Sequence, residues 1–191
     1  MKKFITLAAT VALFAFKPAA DNSWTVDNAH SKLGFTVTHM MVSDVEGSFK
    51  TFSAKVTSSK DDFSDAVVDL NADVASVNTD NDQRDTHLKS ADFFDAAKYP
   101  KLTFKSTSFK KVADKTYKVT GNLTLHGVTK PVTLDVKLRG TYVNQMSKKN
   151  TAGFKITGTI KRSDFGVGAK FGNAMLSDEV SLDANAEVTK D

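Results

Sequence analysis

The chain has 191 residues, of which 40% are hydrophobic, 25% are charged and none is cysteine, a composition that excludes the disordered, collagenous and disulfide-scaffold classes. Its formal charge is +4, but Lys2, Lys3 and Lys17 lie in an N-terminal stretch that reads as removable, and setting them aside leaves 23 basic against 22 acidic residues. So even a balance gives no net attraction for a phosphate backbone, and no nucleic-acid partner is expected.

In chain order the first element is an address. Met1-Lys2-Lys3 is a short positive region, Phe4 to Phe16 is a thirteen-residue apolar run without charge, and Pro18-Ala19-Ala20 is small-residue territory before the polar Asp21-Asn22. This is the layout of a secretory signal peptide over residues 1–20. The apolar run is shorter than the about 20 residues that span a bilayer. Export without a stable membrane anchor is therefore expected, with residues 21–191 forming one domain. The missing cysteines remove disulfides, thiolate catalysis and Cys-based metal sites together.

Past Ser23 the dominant period is two. Leu33, Phe35, Val37 and His39 alternate with Lys32, Gly34, Thr36 and Thr38, and Val68, Leu70, Ala72 and Val74 alternate with Asp69, Asn71 and Asp73. The beat returns in Leu102-Phe104, Tyr117 to Leu125, Val132 to Leu138, Phe154 to Ile160 and Val180 to Val188. Such alternation signals strands with one buried face, and about eight are predicted. Polar or Gly/Pro-bearing turns separate them, so sequential strands pair antiparallel. One helix interrupts the series near residues 79–90: Thr79 suits an N-cap, Asp80 and Asp82 the first turn and Lys89 the last.

Periodicity alone admits either a barrel or a sandwich. Small residues on the inward faces (Gly121, Gly158, Ala72, Ala184, Ala186) beside Phe35, Phe104 and Phe154 favour curvature and a closed, extended antiparallel barrel. They leave its interior open to two readings, a cavity or a tight core.

Motif chemistry is sparse. Histidines at 30, 39, 87 and 126 have neither zinc-site spacing nor a cysteine partner. A calcium loop starting at Asp80 would need glycine where Asp85 stands and glutamate where Ala91 stands. The Gly166, Gly168, Gly172 spacing is not that of a dinucleotide fold, and no nucleophile elbow is present. No catalytic residue, metal site or cofactor is assigned. Alternation turns His39 toward the apolar side. Arg84, Asp85 and His87 read as a solvated face or an ion pair holding the helix to the barrel, and Arg162 with Asp164 as a salt-bridged turn.

Taken together, Trp24 to Ser31, Phe35 to Ser43 with Gly47-Ser48-Phe49, Ser76 to Thr79, Arg84 to Ser90, Asp92 to Asp95, Tyr99-Pro100, Gly121 to Lys130 and Lys161 to Gly166 resemble the YceI-like, polyisoprenoid-binding family in order along residues 23–188. The resemblance implies a lipocalin-like antiparallel β-barrel, usually a homodimer, exported to the periplasm, with a long apolar pore holding an isoprenoid-type or similar long-chain lipid. It implies no enzyme. On that basis the expected lining is Phe35, Val37, Phe104, Leu123, Leu125, Phe154, Ile156 and Leu182, with His39 and Met41 near a polar transition. The alternatives are a non-catalytic interaction or stress-response module of the cell envelope and, less favoured, a lipid-acting enzyme using His39 or His87 as acid or base.

Overall fold

The structure, a computed structural model, describes residues 22–191; the signal peptide expected at 1–20 lies outside the described residues. Eleven strands follow one another: β1 (Ser23–Val26), β2 (Lys32–His39), β3 (Ser43–Phe49), β4 (Phe52–Thr57), β5 (Val67–Asp73), β6 (Val77–Asn78), β7 (Lys101–Ala113), β8 (Thr116–Leu125), β9 (Val128–Val143), β10 (Asn150–Lys161) and β11 (Leu176–Lys190). One helix, α1 (Asp82–Lys89), sits between β6 and β7.

These strands make eight staves, each pairing antiparallel with its neighbours. Three staves are broken strands. A 3-10 turn at Asn28–His30 divides β1 from β2, a bend at Lys50-Thr51 divides β3 from β4, and a 3-10 turn at Val74–Ser76 divides β5 from β6. The halves remain in line: Leu33 faces Phe49 while Trp24 faces Val56, and Phe52 faces Ala72 while Phe49 faces Val77. From there β7, β8, β9, β10 and β11 form a meander, and β11 closes the ring on β1 (Val188 opposite Val26) and β2 (Leu182 opposite Phe35). The expected closed antiparallel barrel is the observed one, and closure leaves no long sheet edge to template aggregation.

Local chemistry explains the breaks. Asp27 ends β1 because its carboxylate accepts the Ala29 N–H at 2.9 Å and so caps the 3-10 turn. Two-residue turns with positive φ, Met40-Met41 and His126-Gly127, match the strand twist and fix their hairpins. The helix is shorter than the predicted 79–90 and starts later, because its N-cap is Asn81, whose side chain accepts the Arg84 N–H at 2.9 Å. Thr79 is occupied otherwise: its N–H and hydroxyl both bond the Asp85 carboxylate, at 2.8 and 2.5 Å.

Candidate functional site

Inward-facing residues of all eight staves enclose a cavity of about 500 Å³, within the roughly 300–1,000 Å³ of small-molecule sites. The two open readings of the interior are thereby separated: it is hollow over part of its length and packed solid at one end.

At the packed end Phe63, wholly buried, lies 5.0 Å from the Trp24 ring and 5.1 Å, edge to face, from Phe154. Tyr117, also wholly buried, stacks obliquely on Phe109 and donates its hydroxyl to the Asp62 carbonyl. Phe63 belongs to the β4–β5 loop, and the carboxylates of that loop hold it down. Asp65 accepts from the Ser58 hydroxyl at 2.6 Å and from the Ser59 N–H and hydroxyl, which holds its carboxyl well below the usual carboxylate range. Asp62 is pushed down to about 2, chiefly by its hydrogen bond from Lys111 Nζ at 3.0 Å and then by the Ser64 N–H.

Of the five exposed lining residues, four (His39, Arg84, His87 and Met175) cluster at the opposite end, and the fifth, Lys32, stands at the start of β2. This mouth is framed by α1, the residues following it, and the long β10–β11 connection. Phe93, just past α1, stacks on Phe171 of that connection at 4.8 Å and 14°. His87 stands edge-on to Phe93 at 5.0 Å, and the Phe94 ring meets Phe49 inside the barrel.

The β10–β11 connection is built around Arg162. Its side chain is 5% exposed, and its five N–H groups go to five backbone carbonyls: Nε to Ser177, Nη1 to Val167 and Gly168, Nη2 to Phe171 and Leu176, at 2.6–3.1 Å. A buried guanidinium demands that every donor be met, so the loop wraps around it, helped by Gly166 and Gly168 at positive φ. The expected salt bridge to Asp164 is not made. Asp178, not Asp164, is the carboxylate tied in nearby, accepting the Ser163 N–H and hydroxyl, and those bonds lower its pKa.

Nine of the ten expected lining residues face the cavity: Phe35, Val37, His39, Phe104, Leu123, Leu125, Phe154, Ile156 and Leu182. Met41 does not. It lies in the positive-φ turn between β2 and β3, 76% exposed, because the strand alternation that would have aimed it inward stops at His39. The glycines explain how the large rings leave a hollow. A Cβ on Gly47 would stand 2.3 Å from the Phe35 ring, and one on Gly121 2.4 Å from the Phe104 ring. Each ring therefore lies flat along the wall over a glycine. Sequence reading missed Arg84, Arg162, Phe171 and Met175 as lining residues, since the loop and helix that supply them carry no strand period.

Among the described residues, the one group of three ligand-type side chains close enough to share a cation is Asp27, His30 and Glu187. There Asp27 is already committed, accepting from His30 Nδ1 at 2.8 Å and from Ala29, which lowers its pKa while raising that of His30. No described helix is long and apolar enough to cross a membrane.

A ring of eight antiparallel staves, sealed at one end around an apolar hollow, defines the class of small ligand-holding β-barrels. Within it, the family model described as YceI-like domain matches residues 24–188, and the chain belongs to that family. UPF0312 protein SAB2563 of Staphylococcus aureus (strain bovine RF122 / ET3-1) is 39% identical over 169 residues, 86% of this chain and 96% of that one. Among solved structures, the YCEI protein of Campylobacter jejuni is 37% identical with a TM-score of 0.73, over 86% of this chain and 96% of its own. A domain described as polyisoprenoid binding, from Saccharophagus degradans, shares the fold at 19% identity and a TM-score of 0.64, covering 90% and 99% of the two chains.

Proposed function

We propose that this protein is an exported binding protein that holds a single isoprenoid-type or similar long-chain lipid in its barrel and acts by binding rather than turnover. The observation that carries this reading is the blind cavity of about 500 Å³, walled by Phe, Leu, Ile and Val side chains. A tail of about twenty carbons buried there gains roughly 16 kcal/mol at about 0.8 kcal/mol per CH₂ before costs. Ordering the tail and losing translational freedom take back a large part, yet the apolar surplus alone suffices for binding. The polyisoprenoid-binding description of the fold neighbour is consistent with this choice of ligand class, and the leader-like pattern at residues 1–20 supports export. Binding rather than chemistry is favoured because the polar groups at the mouth serve the scaffold: Arg162 on carbonyls, Asp85 on Thr79, His126 on the Phe165 carbonyl at 3.0 Å. The homodimer implied by the family resemblance is part of the same proposal.

The test is extraction of protein purified without detergent, with mass spectrometry of the extract. A stoichiometric prenyl or other long-chain compound is expected. Protein that emerges empty and takes up no prenyl lipid on mixing would sink the reading. Light scattering on the same sample reads the dimer, and fractionation of the producing cell reads export.

A further inference from the structure

The ionisable side chains of the cavity wall are all of the basic type. Lys32, His39, Arg84, His87 and Arg162 border the hollow together with Thr79 and Asn185, and no aspartate or glutamate does so among the described residues. Over the whole chain acids and bases are nearly equal in number, 22 against 26, so an all-basic wall is a local property of the site. Four of the five, all but Lys32, lie at the mouth. Carboxylates near them are each engaged: Asp85 by Thr79, Asp92 by Lys170 and by His87 Nε2 at 3.5 Å, and Asp178 by Ser163. The two arginines are the permanent cations of the mouth.

Arg162 is a buried charge with no carboxylate in direct contact: its five bonds go to carbonyl dipoles, and Asp178, held on Ser163, answers it only through space. Arg84 spends Nε on the Thr79 hydroxyl and one Nη2 hydrogen on the Thr79 carbonyl, both at 2.7 Å. Of its five donors, three have no acceptor among the described residues. The buried Arg162 charge beside an apolar, low-dielectric hollow acts on a bound group more strongly than screened surface charges do, and Arg84, exposed at the mouth, offers the donors.

We propose that the ligand's head is anionic, a terminal carboxylate or phosphate seated at the mouth against Arg84 within the field of Arg162, with its tail in the barrel. This assignment rests on the lipid-binding reading above and adds the head chemistry to it. A neutral head such as an alcohol or a quinone ring leaves the three remaining Arg84 donors to solvent.

Three probes with one common twenty-carbon tail test it: geranylgeraniol, geranylgeranoic acid and geranylgeranyl phosphate, offered in equimolar competition to the delipidated full chain and read by native mass spectrometry. At least one anionic probe is expected to exceed the alcohol tenfold in occupancy, and the acid and phosphate arms show which anion the mouth prefers. Arg84→Gln should reduce that excess to less than threefold while binding of geranylgeraniol alone persists, which also shows the variant folded. Arg84→Lys should retain most of the excess, because it keeps the charge while losing the fixed bonds to Thr79. Alcohol binding equal to or stronger than both anions, or an excess unchanged in Arg84→Gln, overturns the head assignment and leaves the tail reading standing. Binding of none of the three overturns both.

Discussion

At one end of the barrel, Trp24, Phe63, Tyr117 and Phe154 fill the interior with aromatic rings under a short loop; at the other, the long β10–β11 connection is folded around a single buried guanidinium and the barrel stays open beside it. The same alternating strands feed both ends, so the difference lies in what the loops bring. A loop that delivers an apolar ring adds packing and excludes solvent. A loop that delivers carbonyls to an arginine gains shape without filling volume, and its remaining face can line a site.

The largest test of that contrast is Phe63→Ala at the sealed end. Deleting a wholly buried ring costs about 3–5 kcal/mol and lowers Tm by roughly 10 °C in a domain of this size, as thermal denaturation will read. Next is Arg162→Met at the mouth, where five carbonyls lose their donors. A stability loss of about 2–4 kcal/mol is expected, with proteolytic cleavage appearing within residues 166–175 while the sealed end stays protected. If Arg162→Met left that loop resistant to protease, the carbonyl-wrapping account of the mouth would be wrong.

A smaller effect, of about 1–3 kcal/mol, is expected for Gly47→Ala, since its Cβ must push the Phe35 ring off the wall. The displaced ring narrows the hollow, so uptake of a twenty-carbon lipid should fall about tenfold while Tm drops by roughly 5 °C, and pairing it with Phe35→Leu should restore uptake through coupling of two contacting residues. The mildest handle is pH. Asp62 and Asp65 have folded pKa values below the unfolded one, so their contribution is present above about pH 4 and is lost as pH falls through the folded values. Acidification from pH 5 toward pH 2 should loosen the sealed end through its β4–β5 loop, seen as lower hydrogen-exchange protection factors at residues 58–66 once intrinsic rates are divided out. Asp65→Asn should already show part of that loosening at pH 7 and respond less to acid.

Period two carried most of the architecture, because each stave buries one face and the pattern states which. It also placed Phe35, Phe104, Leu123 and Ile156 on the cavity wall. What it could not state was set by contacts distant in sequence. The Asn81 start of α1 follows from Asp85 claiming Thr79, a competition invisible when Thr79 reads as an N-cap and Asp85 as part of a charged face. Arg162 looked like a partner for Asp164 two positions on, whereas the chain returns up to fifteen residues later with five carbonyls. Gly166 and Gly168 were the available hint, since a tight loop beside an arginine exposes its carbonyls. Met41 was misplaced because nothing marks Met40-Met41 as a turn; methionine rarely takes positive φ, and here the hairpin geometry imposes it.

The Phe63 plug also bears on the lipid binding proposed above. On the proposed lipid-binding reading, with the far end stoppered, a guest leaves by the mouth through which it entered, tail last in departure as it was first on arrival. Such a vessel is suited to collecting cargo at one place and surrendering it at another, and unsuited to serving as a continuous conduit between two compartments.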